Sequence, residues 1–390
     1  MSDTLSRRQW LINTGLGVGA TVALPGLLPA MEASRALGGV SYGEVLRQLE
    51  QDITVHRRAA GPIRLCFNEN PFGMSPKAKD ALMGAWNEHP HYDPPALLEL
   101  RQTFAANVGV KPESVLVTQG SSEVLSLVSL AYGMRGGEMI VPWPTFEQLP
   151  EYATAMGVTV HKVPLTPELQ HDFQAMEAKI GSETKLVFVC NPNNPTAVLD
   201  NQQRMRDFVI STAKRCVVVV DEAYHDFVDD PSYRSMTDLV NAGHNIIVSR
   251  TASKIHSLAG LRVGFAVARP DTIERLAAFS TGNANTFGMR AAIASLKDTE
   301  YQEFVKAKNR EGRKLLVDAL TKAGKRVAPS HTNFVFFHVG RPVADVQKYF
   351  LDRGFRIGRT FQPLTDWCRI SIGTPQEMKQ FVALVPEALA

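Results

Sequence analysis

Cysteine is scarce in this chain of 390 residues, and the four present, Cys66, Cys190, Cys216 and Cys368, lie far apart. They form no CxxC pair and have no histidine cluster beside them, which argues against a zinc site or a disulfide framework. Buried free thiols packing as small apolar groups are the plain reading. Net charge is scarce too: 42 Lys and Arg against 39 Asp and Glu leave +3. No Lys/Arg run interleaved with aromatics is present to follow a phosphate backbone, so no nucleic-acid surface is indicated. Internal repeats are absent, as are low-complexity segments beyond the N-terminus. What remains is the balance of a soluble globular protein, with 44% hydrophobic and 21% charged residues. That length and composition suit two or three compact units with a sizeable core.

The first 36 residues stand apart. Ser6-Arg7-Arg8-Gln9-Trp10-Leu11 opens a stretch rich in Gly, Ala, Leu and Val that carries no charge from Gln9 until Glu32. A basic start, a weakly apolar centre and a small-residue end describe an export signal. The adjacent arginines followed by a bulky apolar residue and Leu resemble the twin-arginine pattern, with Ile12 where Lys is frequent. Ser34-Arg35-Ala36 offers a small-x-small cleavage site. Gly15, Gly17, Gly19, Pro25, Gly26 and Pro29 weaken any helix long enough to span a bilayer. The expectation is a periplasmic or otherwise exported protein that meets the membrane only through this signal and the twin-arginine translocon. A disordered or membrane-associated N-terminal tail is the alternative. Removing residues 1–36 lowers the net charge only from +3 to +2.

From about residue 114 to 268, short β-branched runs alternate with amphipathic segments. The runs are Ser114–Thr118, Glu138–Val141, Thr159–Pro164, Lys185–Cys190, Val217–Val220, Ile246–Ser249 and Val263–Ala268. Several are almost wholly apolar, as sheet strands covered on both faces must be. Helical patterns fall between them at Ser121–Tyr132, Phe146–Ala155 and Gln203–Lys214. This alternation predicts an α/β fold with a mostly parallel sheet, whose ligands gather beyond the strand carboxyl ends. A long helical stretch, Ala291 to Ala323, then leads into a mixed α+β tail with strands near Asn333–His338 and Cys368–Ile372. The expected organisation is a signal at 1–36, an N-terminal arm at 37–65 joining the smaller domain, a large domain at 66–288 and a small domain at 289–390.

Four strand ends carry chemistry. Gly120-Ser121-Ser122-Glu123 follows Val115-Leu116-Val117-Thr118 and opens an apolar helix, offering an anion the free amides of a helix start, or else being a plain cap. Asn191-Pro192-Asn193-Asn194-Pro195-Thr196 follows Lys185–Cys190, either as a tight turn or as an amide facing a ligand. Asp221-Glu222-Ala223-Tyr224 follows the valine run. A carboxylate there is costly to bury unless it caps a neighbour or meets a cation such as a protonated ring nitrogen. Ser249-Arg250-Thr251-Ala252-Ser253-Lys254, with Arg262 eight residues on, joins hydroxyls and a guanidinium suited to phosphate with an amine. A lysine held among cations at an interior site has its pKa lowered, which imine formation requires. Each motif alone has an ordinary explanation. Their joint occurrence at successive strand ends does not.

With these residues in hand, the chain resembles the fold-type I PLP (pyridoxal-5′-phosphate) aminotransferases of class I/II, most closely the histidinol-phosphate aminotransferase branch. Asn68-Glu69-Asn70-Pro71 is similar to that branch's N-terminal motif, and Asn191–Thr196, Asp221–Tyr224 and Ser249–Arg262 to its three cofactor blocks. The resemblance covers nearly everything after about residue 62. It implies a seven-stranded large domain and a transaminase moving an amino group between an amino acid, or a phosphorylated or anionic amine, and a keto acid. Lys254 is then the Schiff-base lysine and proton shuttle, and Asp221 the partner of the pyridinium nitrogen. Asn194 and Tyr224 face the ring hydroxyl and lower the imine pKa, Tyr224 counting with Lys254 and Asp221 as catalytic and Asn194 also touching the substrate. Ser121, Ser122, Thr251, Ser253 and Arg262 hold the phosphate, and Phe146 stacks on the ring. Tyr92 reaches the phosphate from a partner subunit, implying a homodimer, while Arg369 clamps the substrate carboxylate beside a second basic position, Arg359. Ala197 stands where the family has Gly, Ser122 where the branch often has an acid, and Asp93 where Pro is common. Two rivals remain: a decarboxylase of the threonine-phosphate type on the same scaffold, and a non-catalytic periplasmic binding protein. The presence of both Lys254 and Asp221 argues against the second.

Overall fold

Val217 to Val220 set the pattern for the central sheet. Alternate side chains of a strand face opposite ways, and here Val218 and Val220 join one apolar cluster while Val217 and Val219 join another. A strand with two apolar faces must be covered on both. The computed structural model describes residues 41–47, 49 and 61–390. Its strands, in chain order, are β1 (Ile63–Leu65), β2 (Val115–Thr118), β3 (Glu138–Trp143), β4 (Thr159–Pro164), β5 (Thr184–Cys190) and β6 (Val217–Asp221), then β7 (Ile246–Thr251), β8 (Gly264–Ala268), β9 (Phe334–His338), β10 (Phe355–Ile357) and β11 (Trp367–Ser371). Strands β2 to β8 form one seven-stranded sheet in the order β2-β8-β7-β6-β5-β3-β4. All neighbours run parallel except at β8, which is antiparallel to both β2 and β7. The expected strands are all present, displaced by no more than two residues at either end.

The reversed strand brings a cation to the strand ends. Parallel strands deliver their carboxyl ends to one edge of the sheet, and β8 begins at that edge, Gly264 pairing in register with both Thr118 and Thr251. Arg262, two residues before β8, is therefore carried to the same edge as the loops after β2 and β7. The covering helices include Ser121–Gly133, Gln148–Ala155 and Gln202–Thr212. The second begins two residues later than the expected Phe146, which leaves Phe146 in the loop after β3.

Beyond the sheet, β11 pairs with β9 antiparallel and β1 with β10 parallel. A third apolar cluster joins Leu65 and Ile357 to Phe337, Phe350, Ile370 and Phe381. The single long helix expected over Ala291 to Ala323 is instead two, Thr286–Leu296 and Thr299–Lys322. Asp298 makes the break: its side chain accepts the amide of Tyr301 as an N-cap, and it pairs with Lys77 Nζ at 3.0 Å. Capping starts a new helix where side-chain periodicity alone reads through.

Among the described residues that precede β1, 42–47 are helical. The expected export signal at 1–36 lies outside the described residues. Among the described residues no helix is long and apolar enough to cross a membrane.

Candidate active site

Lys254 lies three residues beyond β7. Its Nζ donates to the Phe67 carbonyl oxygen at 3.2 Å and sits 5.5 Å from the centre of the Tyr224 ring. Burial lowers its pKa to about 8, helped by the Arg369 and Arg262 charges and opposed by Glu69 and Asp221. Asp221 ends β6, almost wholly buried, and burial pushes its carboxyl up to about 7. The Ala223 amide, the Ser249 hydroxyl and the Lys254 charge pull it back. Amine and acid thus lie close enough for each charge to act on the other. Asp221 Oδ1 has no hydrogen-bond partner among the described residues, and a buried acceptor left so is a site shaped for a missing donor.

The hydroxyls and Arg262 converge beside them. Thr251 Oγ1 donates to Ser253 Oγ at 2.9 Å and accepts the Ser253 amide at 3.1 Å. Arg262 donates to the Ala259 carbonyl at 2.9 Å and the Gln119 carbonyl at 3.3 Å. Its guanidinium lies against Gly120, whose φ of 85° is left-handed and where a Cβ would collide with the arginine. Gly264 is needed for a like reason, since a Cβ there would strike Gly120 and the Ser121 amide. Ser121 and Ser122 open their helix with no side-chain cap, and the free amides of such a helix start can receive an anion.

The other wall is built around Arg369. This residue of β11 is buried among groups that are mostly neutral, and burial lowers its pKa to about 10. It donates to Asn194 Oδ1 at 2.6 Å and to the Cys66 carbonyl at 2.7 Å, while its buried Nε has no partner among the described residues. Tyr224 accepts from Asn68 Nδ2 at 2.9 Å, and burial raises its hydroxyl pKa. Asn68 also accepts from Ser371 Oγ at 2.8 Å, and its carbonyl accepts from Asn333 Nδ2 at 3.0 Å. Phe146 is half-buried against the second apolar cluster, on the same side as Cys190 and Asp221. Arg359 pairs with Glu147. Ala197 adopts a left-handed φ of 67°, a region that glycine enters without strain.

Lys254, Asp221, Tyr224, Asn194, Thr251, Ser253, Arg262, Ser121, Ser122 and Arg369 therefore meet at one edge. Tyr92 does not: within its own chain it is 95% exposed. Arg250 turns away from the cradle into a buried pair with Glu222 at 2.8 Å, which Ser235 and the Met236 amide complete. Glu222, Phe361, Glu147 and the Phe67 and Cys66 carbonyls were not singled out from sequence. For Glu222 and Arg250 a signal exists: opposite charges immediately follow the register pair Asp221 and Ser249 on adjacent buried strands. Backbone carbonyls leave no such mark.

The pattern of the family described as "Aminotransferase class I and II" matches residues 60–385. A histidinol-phosphate aminotransferase of Limosilactobacillus fermentum is 36% identical over 333 residues, covering 84% of this chain and 91% of the relative. That of Moorella thermoacetica is 37% identical over 332 residues, covering 84% and 86%. A crystal structure from Erwinia carotovora atroseptica superposes with a TM-score of 0.81 at 36% identity, covering 84% of this chain and 95% of that one. The fold is also that of the Sinorhizobium meliloti histidinol-phosphate aminotransferase in complex with pyridoxal-5′-phosphate, with a TM-score of 0.79 at 24% identity, covering 95% and 99%.

Proposed function

Because this chain belongs to the class I and II aminotransferases and is a PLP-dependent transaminase, we propose that Lys254 is the residue that holds the cofactor and moves the donor's Cα proton. The buried pair of Lys254 and Asp221 carries this reading. The depressed lysine pKa frees a neutral amine near physiological pH. When bound, PLP supplies an aldehyde that captures amines and a ring that withdraws electrons from the breaking bond. The residues present fit such a group. Asp221 Oδ1 offers an acceptor to a ring N–H, and Tyr224 and Asn194 line the side facing Arg369. Thr251, Ser253, Arg262 and the Ser121–Ser122 helix start receive a phosphate, and Phe146 covers a ring face. Arg369 is the clamp for the substrate carboxylate, with Arg359 as the second basic group.

The donor belongs to the α-amino acids or to phosphorylated or anionic amines, of which histidinol phosphate, named for the curated relatives, is one. The purified protein should be yellow, and borohydride should attach the colour to Lys254. Donors are then screened by loss of that colour. Arg369→Ala should weaken α-carboxylate donors about 100-fold while leaving the colour. An unchanged KM would remove Arg369 from the clamp. Release of CO2 without a keto acid would instead favour the decarboxylase.

The working unit is a homodimer in which Tyr92 crosses to the partner's phosphate site. Five of the eight large apolar side chains exposed among the described residues, Phe67, Met83, Trp86, Tyr92 and Leu98, fall in this one stretch. An apolar concentration of this kind is the mark of a protein contact. The N-terminal Arg7-Arg8 motif supports export by the twin-arginine route, which carries folded, cofactor-loaded proteins. Replacing both arginines with Lys should leave the protein in the cytoplasm. Unaltered export would refute that route.

A further inference from the structure

Arg359 and Arg369 share one aromatic ring. Their guanidinium carbons lie 4.3 and 4.8 Å from the centre of Phe361, and the Arg359 charge helps to depress the Arg369 pKa. Two like charges so near each other repel unless they are compensated. The two arginines are compensated differently. Arg369 is met by neutral acceptors, the Asn194 amide oxygen and the Cys66 carbonyl. Arg359 is met by an anion, the Glu147 carboxylate.

Glu147 comes from the loop after β3, directly after Phe146, far from Arg359 in sequence. It stands at the N-cap of Gln148–Ala155 yet makes no capping hydrogen bond, so its carboxylate is committed to Arg359. The pair sits at the rim, with Arg359 more than half exposed. Ion pairs at a solvent-exposed rim hold together weakly, so another anion can replace one partner.

We propose that Glu147 is a built-in stand-in for an anionic group at the far end of the substrate, and so a specificity-determining residue that acts through Arg359. A donor or acceptor with a second acid displaces Glu147 and takes its seat on the guanidinium. A neutral side chain lies beside the intact pair. This rests on the transaminase reading of the site and adds to it a rule for sorting substrates.

The test is equilibrium binding to the PLP-loaded protein, measured by calorimetry with glutarate, which has two carboxylates, and butyrate, which has one. Glu147→Gln keeps the shape and removes the competing charge. It should tighten glutarate about fivefold with little effect on butyrate. Adding Arg359→Met to that variant should abolish the gain. In turnover, the ratio of kcat/KM for glutamate over leucine should rise through KM rather than kcat. Equal tightening of both ligands, or none for glutarate, overturns the proposal. If the wild type turned over no donor while the glutarate result held, the transaminase reading would fail and the role of Glu147 would stand.

Discussion

At the scale of single residues, Asp221 is the group whose chemistry its surroundings change most usefully. Its carboxyl, ordinarily ionised near 3.8, is pushed up to about 7 by burial. Between those values the folded, cofactor-free protein holds a proton that the unfolded chain has released. Stability therefore falls as pH rises through this window, and the loss is complete above about 7. Asp221→Asn should melt with the wild type near pH 4 but about 2–5 °C higher at pH 8, in the absence of PLP. With PLP loaded the order should reverse, because the variant has no carboxylate for the ring N–H. A difference that stayed constant across this pH range would remove Asp221 as its source. The position of this acid was legible, since a carboxylate closing a valine run has few reasons to be there. Its unpaired Oδ1 was not, because that depends on which groups the fold fails to bring near it.

At the scale of elements, the strands were read closely and the helix ends less so. Strand limits follow from β-branched, doubly buried runs, and burial on both faces leaves little freedom in where such a run stops. The break at Asp298 is a local event of another kind. One side chain both caps Thr299–Lys322 and binds Lys77 across the chain. Asp298→Ala should destabilise the protein by about 1–2 kcal/mol, seen as a lower denaturant midpoint, whereas Asp298→Asn should recover most of the capping part. Equal losses for the two variants would assign the effect to the ion pair with Lys77 instead. The reversal of β8 was also invisible in the sequence, although it carries Arg262 to the site. Periodicity reports that a strand is buried and is silent about its direction.

At the scale of the whole molecule, the stretch from Phe67 to Leu98, which carries five exposed apolar side chains, would join the proposed dimer contact to the site, since the Phe67 carbonyl also receives Lys254. Trp86, stacked at 5.5 Å on Phe287 yet 58% exposed, is its largest side chain. If the proposed homodimer forms through this stretch, Trp86→Glu should yield a monomer in light scattering and weaken PLP retention at the same time. A monomer that kept PLP at wild-type affinity would separate Tyr92 from the phosphate. Residue kinds and their order determined the α/β architecture, because apolar alternation is written locally, and the family and its cofactor through the resemblance that the strand-end motifs carry. Only the tertiary structure decided which groups share one space: the carbonyls facing Lys254 and Arg369, the pairing of Glu222 with Arg250, and the ring of Phe361 between two arginines. Those contacts join residues that chain order keeps far apart, and only folding reveals which of many possible partners is near.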